Sequence, residues 1–258
     1  KFKFYLPYGL DCDVDPESDY LGNWYVIEAA KHNATGYMSD NVQRGLYAFD
    51  ATLTGIKNKN GTYGFTGGMN VGALETDVNS ASALLNFYRV ATSGGRVFIG
   101  RFRAGDAYHP IVEANPADLN AAFTSVYTSG EAVSIDAIGH GEDLKIVMLT
   151  KDLNVQEFDL GTAKSIASPS RTLSKTGVGI VRTDATIAYD NEGGVWFNQH
   201  RVTATTTCAT IAHLTANGVD YHNVKAELTH NNCSNSGIAV SPDGKQLAVV
   251  GAGTKTLT

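Results

Sequence analysis

Long apolar runs are missing from these 258 residues: the most hydrophobic stretches, such as residues 146–149 and 247–252, are strand-sized. A membrane-crossing helix needs roughly 18 consecutive apolar residues, so no transmembrane segment is expected. Positive charge is scarce too. Twenty Lys and Arg against 26 Asp and Glu leave a net charge of −6, the wrong sign for a general nucleic-acid surface. Cysteine is limited to Cys12, Cys208 and Cys233, with no C-x-x-C pair, which removes zinc-ribbon and thioredoxin-type readings. No G-x-S-x-G elbow, H-E-x-x-H, P-loop or strand-linked G-x-G-x-x-G occurs, and the seven histidines lie without metal-ligand spacing. The sequence therefore assigns no catalytic residue and no metal ligand.

What is present is strand and turn material. Hydrophobic residues make up 43% of the chain and charged residues 18%, enough to bury a sizeable core. Twenty-seven glycines and twelve tyrosines, with abundant Thr, Ser and Asn, favour hairpins over helices. Four segments share one pattern, an apolar strand, a polar turn with glycine, and a strongly apolar second strand: residues 84–103, 132–152, 186–201 and 237–252. From Val97 to Leu144, Val195 and Leu247, the starts of the second strands, the steps are 47, 51 and 52 residues. A period near 50 with several short strands per unit is the mark of a repeated four-stranded sheet. The unit after Val195 fills out with strands at 209–214 and 222–228 around a turn at Ala216-Asn217-Gly218. Second strands such as VFIGRF, LKIVML and LAVVGA are apolar on both faces, as expected for strands covered from both sides.

These residues carry a resemblance. Ser241-Pro242-Asp243-Gly244-Lys245-Gln246-Leu247-Ala248-Val249 resembles the S-P-D-G-x-x-L-x-V repeat of TolB-like, surface-layer-type and WD-type β-propellers. Asp190-Asn191-Glu192-Gly193-Gly194-Val195-Trp196 resembles the D-x-x-G-x-x-W turn of NHL-type blades. The resemblance covers about two thirds of the chain, from residue 84 onward, and implies an all-β propeller of five or six four-stranded blades, with residues 1–258 as one domain or as a piece of a longer protein. Residues 24–30 read as a second strand and 45–51 as a third, yet Tyr25 to Val97 spans 72 residues, so the first unit holds either an insertion around residues 58–69 or a further blade. Closure of a complete ring would need residues 1–7 as the outermost strand of the last blade.

In the family the loop after each second strand lines the ligand-binding face. Carried over residue by residue, this places Lys31 and His32, Arg101 and Arg103, Lys151, and His200 and Arg201 around one rim, suited to a polar or anionic ligand. Trp196 and Asn198 alternate with His200 on one side of their strand, a pattern suited to stacking on a sugar ring with hydrogen bonds to its hydroxyls. The expected ligand-binding set is thus His32, Arg101, Arg103, Trp196, Asn198, His200 and Arg201; packing between blades is the competing reading for Trp196 and Trp24. Asp136, Asp184 and Asp190 are the carboxylates a propeller hydrolase would draw on, although Asp more often caps hairpins.

The segment Asp11-Cys12-Asp13-Val14-Asp15-Pro16-Glu17-Ser18-Asp19 alternates acids as a Ca²⁺ loop can, but Pro16 stands where an EF-hand loop requires glycine, and a solvated acidic turn is the better reading. No cofactor is expected. Cys208 and Cys233 fall in one repeat and can pair as a disulfide in an oxidising compartment, two free thiols being the alternative. Asn33, Asn60 and Asn232 are N-x-S/T acceptors where a eukaryotic secretory pathway exists. The Asn-, Thr- and Gly-rich surface resembles exported propeller lipoproteins of Bacteroidetes, which implies a periplasmic or cell-surface location and a monomer or member of a surface complex. The resulting expectation is a non-enzymatic module that binds a small molecule, glycan, peptide or protein partner, with a hydrolase or lyase as the alternative.

Overall fold

A computed structural model describes residues 4, 7–28, 45–66, 89–101, 109–150, 154–173, 186–199, 210–223, 235–251 and 256–257. The strands follow one another in chain order within five sheets. The first holds β1 (Pro7–Cys12), β2 (Trp24–Glu28) and β3 (Gly45–Phe49). The second holds β4 (Arg89–Ser93), β5 (Arg96–Gly100), β6 (Ile111–Ala114) and β7 (Thr124–Tyr127). In the third are β8 (Ala132–Ile138), β9 (Lys145–Thr150), β10 (Val155–Asp159) and β11 (Arg171–Leu173). The fourth comprises β12 (Ile187–Tyr189), β13 (Val195–Gln199), β14 (Thr210–Thr215) and β15 (Gly218–Asn223), and the fifth β16 (Asn235–Val240), β17 (Leu247–Gly251) and β18 (Thr256–Leu257). Apart from a 3-10 turn at Gly141–Asp143, the described residues contain no helix. The fold is all-β and of the β-propeller class, its blades being these successive sheets.

Each of the four segments singled out by their period becomes the first two strands of a sheet. The turn chemistry shows why: Ser93 pairs with Arg96 across Gly94 and Gly95, whose φ values of 60° and 72° make the mirror-image turn that suits the twist of two strands. The burial of second strands also follows their composition, with Val97 to Gly100 and Ile146 to Thr150 buried on both faces. The 72-residue gap before Val97 is explained in part by an extra hairpin after β3, where Phe49 bridges Gly55 and Lys57 bridges Tyr63. Of residues 1–7, expected as a closing strand, only Phe4 and Pro7 are among the described residues. Pro7 opens the first strand of the first sheet, and Phe4 packs edge-on against Tyr47 and Phe49 at 5.6 and 5.9 Å. The two rings of β3 offer Phe4 an aromatic edge contact.

Two compact units divide the chain. One is Lys1–Ala132, Ala137–Lys145 and Asp159–Ser168; the other is Val133–Asp136, Ile146–Phe158 and Pro169–Thr258. In the first, Tyr25, Ile27, Leu46 and Ala48 of the first sheet pack with Val90, Val97, Ile99, Val112 and Ala114 of the second, sealed by Phe65 and Leu119. Each large side chain so buried contributes about 1.5–3 kcal/mol. Carboxylates then fasten one blade to the next: Asp11 Oδ2 on β1 accepts from the Thr92 amide at 2.6 Å and the Thr92 hydroxyl at 3.1 Å on β4. The second unit repeats the device, Asp136 Oδ2 on β8 accepting from the Tyr189 amide on β12 at 2.6 Å. Thr92 and Tyr189 occupy equivalent places, paired with Val97 and Val195.

Candidate functional site

Within the second unit, polar chemistry concentrates on the turn that joins β12 to β13. Asp190 closes this turn: its amide donates to the Gly194 carbonyl at 3.0 Å, and its Oδ1 accepts from the amides of Glu192 at 2.9 Å and Gly194 at 2.5 Å. The other oxygen, Oδ2, makes a short hydrogen bond with His213 Nε2. His213 stands on β14 directly opposite Trp196 of β13. The register stacks the two rings almost parallel, 4.0 Å apart and 3° from coplanar, and both remain partly exposed. Gly194 makes room for the arrangement, because a Cβ there would lie 2.3 Å from Asp190 Oδ2 and 2.7 Å from His213 Nε2. An acidic acceptor at Nε2 fixes the proton on that nitrogen in the neutral ring and presents Nδ1 as an acceptor.

A second network touches the same turn. Glu157 of β10, buried, receives Arg171 Nη2 of β11 at 2.5 Å and the Tyr189 hydroxyl. The same guanidinium nitrogen donates to the Gly193 carbonyl at 2.6 Å. On the far side, Asn191 Nδ2 donates to the Pro242 carbonyl at 2.9 Å in the turn between β16 and β17. The turn carrying Asp190 is therefore held from three directions, so the Trp196–His213 pair sits on a fixed base.

Trp196 is thus brought into a built cluster, at the start of β13. Asn198 lies further along β13, paired with Ile211. His32, Arg103, His200 and Arg201 lie outside the described residues, as do Lys31, Lys151, Asp184, Cys208 and Cys233. Arg101 departs from the solvent-facing cation expected of it. It is 2% exposed, its amide donating to the Pro110 carbonyl at 2.8 Å and its carbonyl accepting from Ala132 at 3.1 Å. Arg101 continues the β5–β6 pairing, in which Gly100 lies opposite Ile111, and its side chain is buried there. His213 was not anticipated. The β13–β14 register sets it across from Trp196, and no local motif in the sequence marks that register.

The acidic segment near the N-terminus resolves into turn chemistry. Asp13, buried, accepts from the Asp15 amide at 3.1 Å and the Ser18 hydroxyl at 2.6 Å; Asp15 accepts from the Glu17 amide at 2.9 Å. Among the described residues no group of three or more His, Cys, Asp or Glu converges as a metal site would. Cys12 beside them is a free thiol, and burial, then the charges of Asp11 and Asp13, push its pKa up. Asp15 Oδ2 meets His140 Nδ1 at 2.5 Å, with Glu17 3.7 Å from Nε2. The Asp15 hydrogen bond raises the His140 pKa; for Asp15, burial pushes up but the Glu17 amide and His140 outweigh it and hold the carboxyl low. The raised histidine contributes stability below its unfolded pKa and loses it as pH rises through the folded value. The lowered carboxyl contributes above its unfolded pKa and loses it as pH falls through the folded value. The contact should therefore be strongest at roughly pH 4 to 6.5. An NMR titration is expected to place the His140 midpoint above the ordinary histidine value in the native chain and closer to it in Asp15→Asn.

No family model matches the chain, and no curated protein matches it. Solved structures do resemble it. A structural genomics protein of unknown function from Bacteroides thetaiotaomicron aligns with a TM-score of 0.53 at 11% identity, over 96% of this chain and 53% of that one. YCF48 from Cyanidioschyzon merolae aligns with a TM-score of 0.49 at 12% identity, over 95% of this chain and 67% of that one. The chain thus spans about half the length of the first, and at such identity the likeness concerns the fold alone.

Proposed function

We propose that the chain is a non-enzymatic binding module of an exported propeller protein, and that it holds a glycan or peptide at the Trp196–His213 pair. The observation that carries this reading is the stacked, partly exposed indole and imidazole on a turn fixed by Asp190. A flat aromatic surface suits the C–H face of a sugar or a side chain of a peptide, while His213 Nδ1 and the exposed Asn191 and Glu192 supply polar partners. Of the three carboxylates a hydrolase would draw on, Asp184 lies outside the described residues and the other two are engaged: Asp136 receives the Tyr189 amide, and Asp190 receives two amides and an imidazole. A hydrolase or lyase remains the second reading because the Asp190–His213 pair is also the arrangement that orients a general base.

A glycan array followed by fluorescence titration tests both. In a Trp24→Phe background, which leaves Trp196 as the single indole, a bound glycan should shift the emission. Trp196→Ala, which leaves no indole in that background and is followed by calorimetry instead, should weaken binding about tenfold or more, near 1.5 kcal/mol. Saturable binding without product supports the module. Release of new reducing ends, lost in His213→Gln, replaces it with the enzyme. Undiminished binding by Trp196→Ala removes this site.

A further inference from the structure

Leu53 is the only non-glycine residue with a positive φ among the described residues, at 62°, and it is 66% exposed. A left-handed backbone disfavours any side chain with a Cβ, and an exposed leucine recovers nothing by burial. Three more large hydrophobic residues are as open: Leu10 at 60%, Val14 at 57% and Leu21 at 52%, all from the first sheet or its turns. The register gathers three of them. Cys12, Trp24 and Phe49 form one row across the sheet, so the turn holding Val14 and Leu21 and the turn holding Leu53 leave from the same end. The two turns touch, since a Cβ on Gly22 would stand 2.9 Å from Ala51 Cβ.

Both turns are preorganised. Asp50 Oδ1 accepts from the Thr52 and Thr54 amides, each at 2.9 Å, and from the Thr52 hydroxyl at 2.7 Å, while the Leu53 amide donates to the Asp50 carbonyl at 2.8 Å. In the other turn the Gly22 amide donates to the Asp13 carbonyl at 2.7 Å and the Asp13 amide to the Asn23 carbonyl at 2.9 Å. Residues 13–23 and 50–54 carry Asp13, Asp15, Glu17, Asp19 and Asp50 and no Lys or Arg; among the described residues His140 is the one basic side chain that the ion pairs place against them, at Asp15 and Glu17. Glu17 is 75% exposed at its side chain, and Asp19 is exposed.

We propose that this end of the first sheet is a docking surface for a partner protein segment that is both basic and apolar, one aliphatic or aromatic side chain resting among Val14, Leu21 and Leu53 while Lys or Arg residues face Glu17 and Asp19. Complementary charge selects this occupant. A second copy would bring the same carboxylates face to face, and an anionic bilayer would be repelled. The proposal uses no residue of the Trp196 cluster, and its standing does not depend on that site.

The probes are a short synthetic peptide of alternating Lys and Leu, its counterpart with Glu in place of Lys, and phosphatidylserine vesicles, each titrated against the whole chain. Leu53→Gly is the central variant, because glycine accepts the positive φ and keeps the turn, so its thermal midpoint should hold or rise. The Lys–Leu peptide should bind, with binding weakened about tenfold by Leu53→Gly, by Leu21→Ser and by high salt. Any of four results overturns the proposal: peptide binding unchanged in both variants, equal binding of the Glu–Leu peptide, vesicle binding in place of peptide binding, or self-association that Leu53→Gly dissolves.

Discussion

Arg96→Ala is expected to cost about 3–5 kcal/mol, because it strips the partner from a buried carboxylate. Arg96 opens β5 and forks onto Glu113 of β6, Nε to Oε1 and Nη2 to Oε2, both at 2.8 Å. The same side chain reaches beyond its own sheet to the carbonyls of Gly161 and Ala163, each at 3.0 Å, and its guanidinium lies 5.1 Å from the Phe98 ring centre. With side-chain exposures of 15% and 10%, the pair is shielded from solvent, so its loss exceeds that of a surface ion pair. Arg96→Lys should recover only part of the loss, since an ammonium cannot span both oxygens and two carbonyls in one plane. The double variant Arg96→Leu, Glu113→Leu should lie well above Arg96→Ala in stability, as removing both charges leaves none uncompensated. Urea unfolding midpoints decide the order. If Arg96→Ala unfolds within about 1 kcal/mol of the native chain, the blade latch is not what holds this region.

The strands were legible because their signals are local. Val97-Phe98-Ile99 declares a strand covered on both faces, and Gly94-Gly95 declares the turn before it, with no knowledge of any other part of the chain. The site was legible by halves. Trp196 could be singled out from its alternation with Asn198, but its partner His213 looked like any polar residue until the hairpin register set the two rings in contact. Arg101 shows the reverse failure: a cation following a strand reads as a solvated end, and only the packing around it shows that it is buried. The alternating acids from Asp11 onward read as a solvated turn, and their distant partners lay out of sight for the same reason. Asp11 is engaged by Thr92, 81 residues away, and Asp15 by His140, 125 residues away, and separations of that length are invisible to spacing arguments.

Gly194→Ala should destabilise the chain by about 2–3 kcal/mol and unstack the Trp196–His213 pair, because the new methyl has no space. The built Cβ lies 2.3 Å from Asp190 Oδ2 and 2.7 Å from His213 Nε2. A long flexible side chain would swing aside at little cost. Asp190 cannot, since its other oxygen holds the Glu192 and Gly194 amides and its amide holds the Gly194 carbonyl. Moving it would release those amides, one of them buried, and an unmade buried hydrogen bond costs about 1–3 kcal/mol. Yielding at His213 instead breaks its bond to Asp190 and shifts a ring stacked 4.0 Å above Trp196. Both routes disturb the proposed binding surface, so the loss of stability should be accompanied by a change in Trp196 fluorescence. A double-mutant cycle separates the clash from a general intolerance of side chains in this turn. In an Asp190→Ala background the carboxylate is gone, and the added cost of Gly194→Ala should fall by about half or more. An undiminished cost there would mean that the backbone of the turn, and not the Asp190–His213 contact, is what excludes a Cβ at Gly194.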